Sequence, residues 1–201
     1  MHTLYKSFCI YLISSCLLFC FSCQFIKEKS QSTKADNPSY ANTKETGCPI
    51  SLSLGTVYGT ALSKFDETFL LSELKVLLAD LCAGSFSHLP SLIHPQKGLY
   101  VDAKGYWTYA EVEKDLADPN GYFQVYYFDS KKLDGKKGSV GNLTVRDVFL
   151  SAKQVWVDLY VGSSEEVEVR FRFAENQKLE RYLINPSFIK WEGSWYLLRM
   201  F

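Results

Sequence analysis

Apolar residues recur at three- and four-residue spacing from Phe65 to Gly84, where Leu70, Leu71, Leu74, Leu77, Leu78 and Leu81 trace one broad stripe. That period is helical, and a stripe of this width has to be buried against another layer. The spacing predicts the best-defined helix of the chain. Ser63 with Asp66 resembles a capping box at its start, and Gly84 offers the left-handed residue that ends helices. Thr108 and Glu111 repeat the capping pattern ahead of a short helix with Val112 and Leu116 inward, stopped by the turn Asp118-Pro119-Asn120-Gly121. A third short helix is predicted from Thr144 to Ala152.

The period then changes. From Glu166 to Phe173 the residues alternate, with Val167, Val169, Phe171 and Phe173 on one side and Glu166, Glu168, Arg170 and Arg172 on the other. Such a strand has one dry and one wet face and belongs to an antiparallel sheet. Val155 to Val161 precedes it across Gly162-Ser163-Ser164 as the first arm of a hairpin, and Phe188 to Phe201 forms a second hairpin around Glu192-Gly193. In the second, Trp191 and Trp195 are expected to meet across the strands. Residues on both sides of its last arm are apolar, which places that arm in the middle of the sheet. Tyr122 to Phe128 reads as a further strand. Asp129 to Gly141, with four lysines and three glycines, reads as a mobile loop.

The N-terminal pattern is of another kind. Lys6 is followed by an uncharged run from Phe8 to Phe21, the order of a secretory signal peptide. A spanning helix needs about 20 apolar residues, so an uncleaved anchor is the second reading of this run. Ser22 and Cys23 close it, and this ending resembles the relaxed lipobox of spirochaete lipoproteins, in which the cysteine is acylated after cleavage. The resemblance implies residues 1–22 as signal peptide and Cys23 as the lipid attachment. Cys16, behind Ile13, Ser14 and Ser15, is the alternative, and a plain hydrophobic segment with filler thiols is the other reading. Residues 24–47 are polar without an apolar period, the composition of a disordered tether. The 23–47 segment thus serves as lipid anchor and spacer, and 48–201 as one folded domain, of a size that buries its own core. The expected location is the cell envelope, periplasmic or surface, with the membrane as a partner through the anchor.

Composition narrows the partners further. Lys and Arg balance Asp and Glu at 22 each, so nucleic acid is not an expected partner. If Cys23 is acylated, Cys48 and Cys82 are the remaining pair after processing, and in an exported protein they are read as a disulfide; the alternative is a buried Cys82 thiol and an exposed Cys48.

Helices first and antiparallel strands last give an α+β domain, with helices on one face of a curved, mainly antiparallel sheet. The long helix, the segment His94-Pro95-Gln96-Lys97-Gly98-Leu99 and the closing Phe188-Ile189-Lys190-Trp191-Glu192-Gly193-Ser194-Trp195-Tyr196-Leu197 together resemble the NTF2-like, cystatin-like α+β cone over residues 60–201. Some members of that superfamily are isomerases or hydratases that use an aspartate with tyrosines in the cone; others are binding or assembly modules.

No motif in the chain selects a chemistry. His88 and His94 lie six apart with Pro90 between, not at helical ligand spacing, and no metal is expected; His94 reads as a turn or capping residue. Gly135-Lys136-Lys137-Gly138-Ser139-Val140-Gly141 lacks the order of a P-loop, though its lysines and amides could meet an anion. Asp158, on the strand side of Trp156 and Tyr160, is the weak catalytic candidate; no other catalytic residue and no cofactor is expected. The resulting expectation is an exported lipoprotein with a non-catalytic domain that binds a small apolar ligand, an envelope polymer or a protein. The alternative is a small cofactor-free enzyme, isomerase- or hydratase-like, working through Asp158.

Overall fold

The Ser63 hydroxyl accepts the amide of Asp66 and starts α1 (Lys64–Ala83), and Gly84, at φ 87°, ends it by donating to the carbonyls of Asp80 and Leu81. Leu70, Leu74, Leu77, Leu78 and Leu81 are buried along this helix, while Leu71 at the stripe's margin is half-buried. Each fully buried leucine contributes about 1.5–3 kcal/mol relative to exposure. This is a computed structural model, and it describes residues 48–101 and 104–201. The expected signal peptide, the lipid-attachment candidates Cys23 and Cys16, and the expected tether all fall on residues outside those described. A disulfide joins Cys48 to Cys82, with Cα atoms 5.3 Å apart.

The helices pack on a seven-stranded mixed sheet that does not close into a barrel. In chain order the strands are β1 (Ser51–Tyr58), β2 (Leu99–Val101), β3 (Gly105–Trp107), β4 (Gln154–Ser163), β5 (Glu166–Phe173), β6 (Ser187–Trp191) and β7 (Ser194–Arg199). Across the sheet they run β1-β4-β5-β6-β7-β2-β3. The β4-β5-β6-β7 meander is antiparallel, as the alternation of β5 implies, and β2-β3 is an antiparallel pair beside it. The β1-β4 and β2-β7 pairings are parallel. β7 lies inside the sheet, consistent with its two apolar sides.

The remaining helices are α2 (Tyr109–Ala117), α3 (Ser130–Lys137) and α4 (Val145–Leu150). α2 and α4 each open with a complete capping box, Thr108 with Glu111 and Thr144 with Asp147. The inward side chains of β4 and β5 (Val155, Val157, Leu159, Val167, Val169, Phe171 and Phe173) join α1, Val148 and Phe149 in one core. Phe201 packs in it edge-on to Phe149 and Phe171, at 5.6 Å from each, and its backbone oxygen accepts the Tyr127 hydroxyl.

Four expectations are corrected. Tyr122 to Phe128 is helical, ending in a π-helical turn over Gln124–Phe128, and not a strand. The Asp115 carboxylate accepts the amides of Tyr122 and Phe123 and so starts this segment. Its rings then stack four residues apart, Tyr122 on Tyr126 at 4.6 Å and Phe123 beside Tyr127 at 5.4 Å. Residues 129–141 are not all loop: Asp129 caps α3, Gly138 ends it at φ 67°, and Leu133 fixes it to the core side. The strands do not all follow the helices, because β1 precedes α1 and forms a sheet edge.

The fourth correction concerns the tryptophans. Glu192 and Gly193 form a two-residue turn with φ of 50° and 85°, which pairs Trp191 with Ser194 and Lys190 with Trp195. Trp191 and Trp195 are therefore never opposite each other. Trp195 turns into the core, whereas Trp191 is 42% exposed on the other face.

Candidate binding face of the sheet

One face of β1, β4 and β5 is covered by the core; on the other, Tyr58, Trp156, Tyr160, Glu168, Arg170 and Arg172 alternate outward. Tyr58 and Tyr160 face each other across the parallel β1-β4 pair and stack at 4.6 Å with 14° between planes. Tyr58 is 47% exposed and Trp156 38%, so aromatic surface stays in contact with water. Beside them an open groove of about 420 Å³ is lined by Arg170, Phe171, Gln177, Glu180, Arg181, Leu183 and Asn185.

Ion pairs fix the polar residues of this face. Arg170 reaches Glu180 at 3.1 Å, and Arg199 reaches Glu168 at 2.8 Å while its Nε donates to the Asn185 carbonyl. Glu168 is held below the usual carboxylate range, burial opposing the shift and the Asn185 amide and Arg199 producing it. Glu180 and then the Tyr160 hydroxyl hold the Arg170 guanidinium firmly charged. Such pairs contribute little to stability where they meet water, but they set the side chains in fixed planes.

Asp158 is on this face, on the side of Trp156 and Tyr160 as the alternation implies, and it is buried. Its side chain is 3% exposed, with one oxygen 2.5 Å from Arg172 Nε. The other oxygen accepts from Arg172 at 2.9 Å and from the Thr56 amide at 2.7 Å. This fork-on-fork pair raises the Arg172 pKa. The Thr56 amide is free to point there because β1 breaks register between Leu54 and Val57. Gly55 leaves the necessary space: a Cβ at that position would fall 2.3 Å from the Asp158 oxygen. Both carboxylate oxygens are thus engaged in a buried, fork-bonded pair.

A second carboxylate hub lies on the core side. Asp66 accepts from the Trp195 indole at 2.7 Å, from Lys190 at 2.9 Å and from the Ser63 hydroxyl at 2.7 Å. The Trp195 hydrogen bond first, then Ser63 and Lys190, hold its pKa at about 2 against the opposing effect of burial. This ties the first turn of α1 to the β6-β7 hairpin.

His88 and His94 are both engaged within the fold. His94 Nδ1 accepts the amides of Gln96 and Lys97, both at 3.1 Å, in the turn that precedes β2, and its ring meets Tyr196 edge-on at 4.8 Å. His88 Nδ1 faces Asp80 at 2.8 Å and Ser87 Oγ at 3.2 Å. Asp80, His88 and Ser87 are not a relay, because acid and hydroxyl meet the same ring nitrogen, whereas a relay needs one on each. Among the described residues no group of three or more His, Cys, Asp or Glu is placed to hold a metal ion. No described helix is long and apolar enough to cross a membrane.

Sequence reasoning reached Asp158 and its face but missed its partner Arg172, the Tyr58-Tyr160 stack and the Asp66 hub. The charged side of β5 was the available signal, since every second residue from Glu166 to Arg172 is charged and faces a strand that carries one lone acid. Comparison of the chain with protein-family models, with curated proteins and with solved structures finds no match.

Proposed function

We propose that this chain is an exported, lipid-anchored envelope protein whose domain binds without catalysis, through the open face of the sheet. The occupant that suits the face is an envelope polymer containing sugar rings. The carrying observation is the pairing of exposed, stacked rings, Tyr58 on Tyr160 with Trp156 on the same strand, with planar charged groups already fixed by their partners. Flat apolar rings take the faces of sugar rings, and fixed guanidinium, carboxylate and amide groups take hydroxyls. Engagement of Asp158 by Arg172 and Thr56 supports binding over the isomerase-like alternative. α1 laid against the antiparallel meander supports an NTF2-like scaffold at the level of layers, with β1 as an added parallel edge.

The test is co-sedimentation of the full chain with purified envelope polysaccharide, comparing wild type with the double variant Tyr58→Ala, Trp156→Ala. Sedimentation should fall at least about ten-fold, as expected for losing two ring contacts, with an unchanged melting temperature. Equal sedimentation of the two proteins excludes the face. Labelling with a fatty-acid analogue examines the anchor separately: Cys23→Ala should abolish it and Cys16→Ala should not.

A further inference from the structure

Between the end of α3 and α4 the chain makes a short knuckle whose tip, Val140, is 92% exposed. A single exposed valine is ordinary on a protein surface. This one is held out by the turns and hydrogen bonds on either side of it. Gly138 and Gly141 adopt φ of 67° and 84°, turning the chain sharply on either side of Ser139-Val140. Asp134, one turn back on α3, accepts the amides of Gly141 at 3.1 Å and Asn142 at 2.9 Å, and the Asn142 side chain donates to Asp134 at 2.7 Å and to the Ser139 carbonyl at 2.6 Å. The loop is closed on the helix that carries it, and Leu143, 38% exposed, follows at its base.

The charge around the tip is one-sided. Residues 129–143 carry four lysines and two aspartates. Asp134 is turned onto the amides of its own knuckle, and Asp129 caps α3 and lies 3.9 Å from Lys132. Lys132 also donates to the Pro119 carbonyl. Lys131, Lys136 and Lys137 are exposed, and none has a salt bridge among the described residues.

We propose that this knuckle is a membrane-contact element: Lys136 and Lys137, in the last turn of α3 beside the tip, bind the headgroups of anionic phospholipids while Val140 enters the interface. An anionic bilayer is the occupant that uses both features, since lysines near such a surface are each attracted to it and an apolar tip gains by leaving water at the acyl boundary. A soluble anion or nucleic acid would leave Val140 without a role. The proposal is independent of the polymer-binding face, which lies on β1, β4 and β5.

The experiment is hydrogen exchange of the full chain reconstituted with vesicles of phosphatidylglycerol in phosphatidylcholine, against phosphatidylcholine alone. Amides of residues 138–143 should gain protection with the anionic vesicles beyond that given by their own hydrogen bonds, keep their free-protein rates with the neutral ones, and return to those rates at high salt. The β4-β5 turn at Ser164 should exchange equally in both. With Lys136 and Lys137 changed to Gln, the docked-to-undocked ratio should fall about five-fold per lysine. Val140→Asp should abolish the protection while leaving the melting temperature unchanged. Equal protection with neutral vesicles, no protection with either, protection of the β4-β5 turn as well, or protection that survives the lysine changes would each overturn the proposal.

Discussion

Replacing Asp66 with Asn keeps the size of the side chain and removes its charge, and it should destabilise the domain in a way that depends on pH. In the folded protein the carboxyl is held at about 2, against an ordinary value of 3.8. The folded-state value is depressed, so the stabilisation is fully present above the unfolded value. It is lost as pH falls from about 4 through about 2. The difference corresponds to about 2 kcal/mol at neutral pH, an upper value because the Lys190 side of the cluster meets solvent. For a domain of this size that lowers the melting temperature by about 4–8 °C. Urea denaturation of wild type and Asp66→Asn at pH 7 and near pH 2 measures it, provided the slopes match. Glu168, Glu111 and Asp134 are depressed as well, but they are common to both proteins and cancel in the difference. The gap between the two proteins should shrink toward zero as Asp66 protonates. A gap of equal size at both pH values would show that shape, not the ionised carboxylate, holds α1 to the hairpin.

Two further perturbations separate neighbouring residues of opposite role. Trp195→Ala removes a buried ring and a donor to Asp66 and should cost ~3–5 kcal/mol, whereas Trp191→Ala, on the exposed side under Lys97, should stay within about 1 kcal/mol; similar losses by denaturant titration would refute the assigned register. Gly55→Ala places a methyl group 2.3 Å from the Asp158 oxygen and 2.9 Å from Arg172. It should break the fork and lower stability by about 2–4 kcal/mol, and Asp158→Asn should reduce that penalty in a double-mutant cycle; independent, additive effects would show that Gly55 acts elsewhere.

Patterns confined to a few consecutive residues were the legible part of this fold. α1 was readable because six leucines recur on one face and both ends carry their caps, and α2 from its capping box; α4 was placed from Thr144 to Ala152 without the box of Thr144 with Asp147 that opens it. β5 was readable because its alternation is strict. Failures occurred where one residue type serves two periods. Tyr122, Phe123, Tyr126 and Tyr127 suit a strand by propensity, but their four-residue spacing is that of stacked rings on a helix. The lysines and glycines of 129–141 hid α3 because only Leu133 marks its inner side. In β1, Leu52 and Leu54 alternate, then the break at Gly55 shifts Val57 and Tyr58 out of phase, so the strand has no single period to detect.

The site was less legible than the fold for a related reason. Asp158 was noticed as an acid in an apolar strand, which is where a shifted general base and a satisfied ion pair look alike in sequence. What separates them is the residue opposite, and Arg172 stands beside it only through the β4-β5 register, which pairs Asp158 with Arg170 and Trp156 with Arg172. The second partner, the Thr56 amide, comes from a bulge in a strand more than a hundred residues earlier, with a separation of 102. A lone acid in a strand therefore argues for catalysis only after the neighbouring strands have been searched for an arginine within reach. In this domain that search finds Arg172 forked on Asp158, on the face that also carries Tyr58, Trp156 and Tyr160.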